Sequence, residues 1–239
     1  MLRTLALVAI SGMVIVLSSF AQTSPTCSDQ LPPPQNTNPA NNLDLRRLSL
    51  VQADLQNIEG LAQFTAGPID VAPGQNAAGF FGSVLAQFFD DKKNKVEIRL
   101  QSFDKDESAS AEVRATNFIN ARVKEAEVAK DIIEVDPRSK DADKSKAAQD
   151  LNKDVKDCFC LAKDVAFIRA TSADNKSVSA NSIKLYFRLR GVVVSVEMAN
   201  TSPQVANPPS PDSRDATLIK VAVAQRNKLC NSQFIKPKA

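Results

Sequence analysis

The chain contains no histidine, and this absence excludes more chemistry than any other feature of the sequence. Without an imidazole there is no Ser-His or Cys-His nucleophile pair, no histidine general base and no His-containing zinc site. Glycine is scarce, at seven residues, and no glycine-rich phosphate loop or dinucleotide fingerprint is present. The sequence therefore predicts no catalytic residue, no metal site and no cofactor.

Aromatic residues other than phenylalanine are nearly absent, since the chain has no tryptophan and one tyrosine. Sugar-binding clefts usually present aromatic platforms, so a glycosidase with paired carboxylates is disfavoured. The acidic run of Asp104, Asp106 and Glu107 begins like a calcium loop. Ala109 and Ala111 stand where further oxygen ligands would be needed, so these acids are interpreted as ordinary surface residues.

The net charge of the chain is also small, because positive and negative residues are nearly equal in number. Removing the first 21 residues takes away only Arg3, which leaves 29 of the 30 Lys and Arg residues against 27 Asp and Glu, a net charge of +2. A chain this close to neutrality does not have the bulk charge of a nucleic-acid-binding protein.

The N-terminus has the build of a secretory signal peptide. Arg3 precedes an uncharged apolar run from Leu5 to Leu17, and small residues Ser19 and Ala21 favour cleavage after Ala21. The run is shorter than the roughly 20 residues that span a bilayer, so an uncleaved anchor is the weaker alternative and no stable membrane span is expected after cleavage. The chain is predicted to be secreted, or periplasmic in a bacterium.

The domain organisation follows from composition. Residues 22–42 are rich in Pro and Asn and are predicted to form a disordered tail. Residues 43–239 are predicted to form a single α+β domain, with a helical part over 43–95 and a sheet-and-helix part over 96–239.

Four cysteines in an exported chain predict two disulfides. A bridge from Cys158 to Cys160 would close a very small, strained ring. We therefore expect one of these two to join Cys27 and the other to join Cys230, with a redox-active Cys-Phe-Cys as the alternative.

Hydrophobic periodicity predicts the secondary structure. Helices are expected over 44–64, 79–91, 108–135 and 138–157, and strands over 96–102, 161–170, 182–198 and 216–225. The Phe-rich segment 79–91 has two interpretations, a core helix or a membrane-interacting one. Together these elements predict a curved antiparallel sheet of about four strands, packed on the long helix and preceded by an N-terminal helical segment.

The clearest strand is Ser182–Met198, whose apolar residues alternate and change phase at Gly191, which indicates a bulge or a sharp bend. Its outward row is the candidate binding surface: Lys184, Tyr186, Arg188 and Arg190. The row suits an acidic patch of a partner protein or an anionic polymer. The alternative is a solvated sheet face balanced by neighbouring acids.

Two glycosylation acceptors, Asn175 and Asn200, flank this strand and would carry sugars in a eukaryotic protein. The sequence as a whole favours a secreted, disulfide-bonded, non-catalytic protein that binds a protein partner or an extracellular polymer. Two alternatives stay open: a carrier of an apolar ligand, and a hydrolase that uses carboxylates without histidine.

Overall fold

A computed structural model describes residues 44–74, 79–92, 94–115, 142–171, 181–200 and 211–232. Their architecture is α+β, as predicted, but the antiparallel sheet has six strands in the order β1-β2-β3-β6-β5-β4. In chain order the elements are α1 Leu45–Leu48, α2 Gln52–Gln56, β1 Thr65–Pro73, β2 Phe80–Phe89, β3 Asn94–Phe103, α3 (residues 106–115), α4 Ala142–Asn152, a 3-10 turn Cys158–Cys160, β4 Lys163–Thr171, β5 Asn181–Leu189, β6 Val192–Asn200 and α5 Pro211–Cys230.

The main hydrophobic core lies on one face of the sheet. Alternate residues of the central strands are buried there, among them Ile98 of β3, Phe187 of β5 and Val194 of β6. Leu218 and Val221 of α5 belong to the same cluster. The predicted strand 96–102 and the inward set of the 182–198 segment are therefore confirmed.

The opposite face carries a second, smaller apolar cluster. Phe103 and Val193 of the sheet are buried there against Ala109 and Val113 of α3, with Tyr186 packed at the margin. Residues 116–141 of the predicted long helix lie outside the described residues. In the part of the chain that is described, the helices with residues in the main core are α1, α2, α4 and α5, whereas α3 contributes to the smaller cluster.

The predicted single helix over 44–64 is wrong, because the chain breaks between α1 and α2. Asp44 caps α1 by accepting a hydrogen bond from the Arg46 N–H. Ser49 and Val51 are extended, with ψ of 149° and 170°. The break places Leu45 and Leu55 in the main core on separate short helices.

The helix predicted over 79–91 is also wrong, since this segment is strand β2. Val84, Ala86 and Phe88 alternate into the main core. The segment is therefore a strand that contributes alternate side chains to the core, as the first of its two interpretations required, but not as a helix. The chain before it is strand β1, so the range 43–95 holds β1 and β2 in addition to the short helices α1 and α2.

The strand predicted over 216–225 is a helix, the C-terminal α5. Its buried residues follow spacings of three and four along the helix: Leu218, Val221, Ala222, Gln225 and Leu229. None of the helices in the described ranges is both long and apolar enough to cross a membrane.

The predicted bent strand over 182–198 is two strands, β5 and β6, joined by a tight turn in which Leu189 pairs with Val192. Arg190 takes the left-handed conformation, with φ of 55°. Gly191 is needed for a close approach: a Cβ there would lie 2.9 Å from the Phe103 carbonyl oxygen. The phase change at the glycine thus marks a hairpin and not a bulge.

Two further expected elements are confirmed in position: α4, at Ala142–Asn152, lies within 138–157, and β4, at Lys163–Thr171, overlaps most of 161–170. A disulfide joins Cys160 to Cys230, one of the pairings expected. Cys158 is also disulfide-bonded, whereas Cys27 lies outside the described residues, as do the predicted signal peptide and the N-terminal tail.

Candidate functional site

The predicted binding row lies on the outer face of the sheet, opposite the main core, and its first member belongs to a charged rung across four strands. The rung consists of Gln87, Glu97, Glu197 and Lys184, which face one another in register on β2, β3, β6 and β5. Directly opposed residues of antiparallel strands share a face, so their side chains are neighbours. The rung places two carboxylates side by side.

Each carboxylate of the charged rung is neutralised by a lysine. The Lys184 ammonium lies 2.9 Å from the Glu197 carboxylate, and the Lys95 ammonium lies 3.0 Å from Glu97. Gln87 donates a further hydrogen bond to Glu97 at 2.6 Å. Lys184 is therefore half of an ion pair.

The pKa shifts agree with this pairing. Burial opposes ionisation of Glu97, but the hydrogen bonds from Lys95 and Gln87 and the lysine charges outweigh it and lower the pKa of this carboxyl. Burial would lower the pKa of Lys184, but the charge and hydrogen bond of Glu197 outweigh it and raise that pKa. A general acid needs a raised carboxyl pKa at neutral pH, and Glu97 has the opposite environment.

The far end of the row forms an arginine cluster, made of Arg188, Arg190, Asp106 and Asp164. The Arg188 Nε donates to the Asp164 carboxylate at 2.7 Å. The Asp106 carboxylate lies 3.7 Å from Arg188 Nη1 and 3.8 Å from Arg190 Nε. Both predicted arginines are therefore balanced by acids from other elements.

Arg190 does not present an exposed guanidinium, because it turns inward at the hairpin and only 6% of its surface is accessible. Its guanidinium carbon lies 5.8 Å from the centre of the Phe159 ring, within cation-π range. Tyr186 packs beside the smaller apolar cluster. The four predicted residues lie on one face or at one end of the sheet. The row is partly covered, and its charged members are paired with acids. Its binding role stays a prediction.

A surface that the sequence did not indicate lies at the β1 edge of the sheet. Ile69 and Val71 pair with Ala86 and Val84, so their side chains lie on the core side of the sheet. They are nevertheless 47% and 46% exposed. Val84 and Ala86 are buried in the main core, whereas their partners Ile69 and Val71 remain open to solvent.

Val51, the residue that precedes helix α2, is a third exposed apolar side chain. Val51 is 46% exposed, and the adjacent Gln52 side chain accepts a hydrogen bond from the Ala66 N–H of β1 at 3.1 Å. We call Val51, Ile69 and Val71 the apolar edge surface. They are the large hydrophobic side chains most exposed in the part of the chain that is described.

The acidic run and the two glycosylation acceptors are the other sites that the sequence analysis considered. The described ranges contain no group of three or more Cys, Asp or Glu side chains placed to hold a metal ion. Asp106, from the acidic run, contacts two arginines. Asn200 ends β6 opposite Asn94, and Asn175 lies outside the described residues, so glycosylation stays a prediction.

Comparison with known proteins adds little. No family model matches the chain, and no curated protein matches it. Among solved structures it is similar to the extracellular domain of PknH from Mycobacterium tuberculosis, with 11% identity and a TM-score of 0.39, over 76% of this chain and 93% of that one. A likeness this weak supports no argument about function.

Proposed function

We propose that this protein is an exported, non-catalytic binding protein that docks a protein partner on the apolar edge surface. The observation that carries the proposal is the exposure of Ile69 and Val71 on the core side of the sheet. Exposed apolar patches on soluble proteins are commonly interaction sites. The Cys160–Cys230 disulfide supports export, because such bonds persist in oxidising compartments.

The charge distribution favours a protein partner over an anionic polymer. The lysine and arginines of the predicted row are paired with Glu197, Asp164 and Asp106, so a polyanion would have to displace these carboxylates. β1 itself carries a single charge, at Asp70. An apolar surface of a folded partner is the better match for such a strand.

The partner is expected to pack on side chains and not to add a strand to the sheet. Pro68 and Pro73 lie on β1, and the register shifts between Ala66 and Ile69. Prolines and bulges on an edge strand remove hydrogen-bond donors and oppose strand pairing. The edge thus combines exposed apolar side chains with a backbone poorly suited to accept another strand.

Site-specific photo-crosslinking in the producing cells tests the proposal. A photoreactive phenylalanine analogue replaces Ile69 or Val71, with Arg99, exposed on the outer face, as the control position. We expect the same heterologous adduct from both edge positions and none from position 99. Equal labelling at all three positions, or an adduct only between two copies of this chain, would overturn the assignment.

A double variant provides the second test. Ile69→Ser with Val71→Ser removes apolar contact area that is already half exposed, so the free energy of unfolding should change little. The adduct formed from a probe at Val51 should disappear. Retention of that adduct in the folded double variant would show that the apolar edge surface does not hold the partner.

A further inference from the structure

We draw no further inference here: the strongest candidate, the outer edge of strand β4, which pairs with β5 on one side and with no other strand of the described residues, carries nothing because no feature of the structure shows what covers it.

Discussion

Gln225 provides the sharpest test of how helix α5 is attached to the segment between α1 and α2. This α5 side chain is fully buried, accepts a hydrogen bond from the Leu50 N–H at 3.0 Å, and donates one to the Leu48 carbonyl at 2.7 Å. It therefore satisfies two backbone groups at the break between α1 and α2. Gln225→Met keeps a similar volume but removes both hydrogen bonds.

The expected cost follows from the two groups left without partners. An unsatisfied buried backbone group costs about 1–3 kcal/mol, and the apolar methionine regains part of that loss, so the free energy of unfolding should fall by roughly 2–4 kcal/mol. Urea denaturation measures this as a lower midpoint at an unchanged m value. Gln56→Met, at an exposed position of α2, is the control and should change stability by less than about 0.5 kcal/mol.

Gln225→Glu separates the loss of hydrogen bonds from a change in packing. A protonated carboxyl can donate to Leu48 and accept from Leu50, but a buried carboxylate can only accept, so burial should raise the pKa of the introduced acid above that of the unfolded chain. Relative to wild type, this variant should be destabilised at neutral pH and should recover as the pH falls below the raised pKa. A cost for Gln225→Met no greater than that of the control, or a pH-independent deficit for Gln225→Glu, would refute the bridging role.

Three further perturbations have definite expected results. The lowered pKa of Glu97 means that its contribution to stability is present above the unfolded pKa and is lost as the pH falls through the folded value; in Glu97→Gln, pH-dependent denaturation should show a flatter acid limb. Replacing Cys160 and Cys230 by Ser removes a cross-link over 70 residues, which should cost about 4 kcal/mol by loop entropy; an unchanged melting temperature would contradict this. Gly191→Ala forces a Cβ to 2.9 Å from the Phe103 carbonyl and should cost about 1–3 kcal/mol in the same denaturation assay, whereas an unaffected variant would show that the hairpin can shift.

Two of the misassigned segments show where periodicity fails as a predictor. In 216–225 the alternate residues Ile219, Val221 and Val223 suggest a strand, but Leu218 and Ala222 are equally apolar and complete a helical stripe. In β2 nearly every residue is apolar, so the sequence fits either period. Pairing with β1 and β3 decides the second case, and that pairing is not visible in a single segment.

The Ser182–Met198 region was better specified, because its alternation is strict and its apolar face is unambiguous. What the pattern lacked was the distinction between a bulge and a hairpin at Arg190 and Gly191. Both change the phase by one residue. Glycine is necessary at 191 because the Phe103 carbonyl comes close to it. Phe103 lies 88 residues earlier in the chain, so the sequence around Gly191 does not reveal this contact.

The candidate site was less predictable than the fold for a related reason. The basic row could be read from β5 alone, but its neutralisation depends on Glu197 across the hairpin, Asp164 on β4 and Asp106 on α3. The low net charge of the chain was the only sequence sign that such acids balance the row. The sequence did not indicate the apolar edge surface, because Pro68 and Pro73 make the β1 segment resemble a loop. Because the charges of the basic row are paired while Ile69 and Val71 are not covered, partner recognition should depend weakly on salt and strongly on these two side chains.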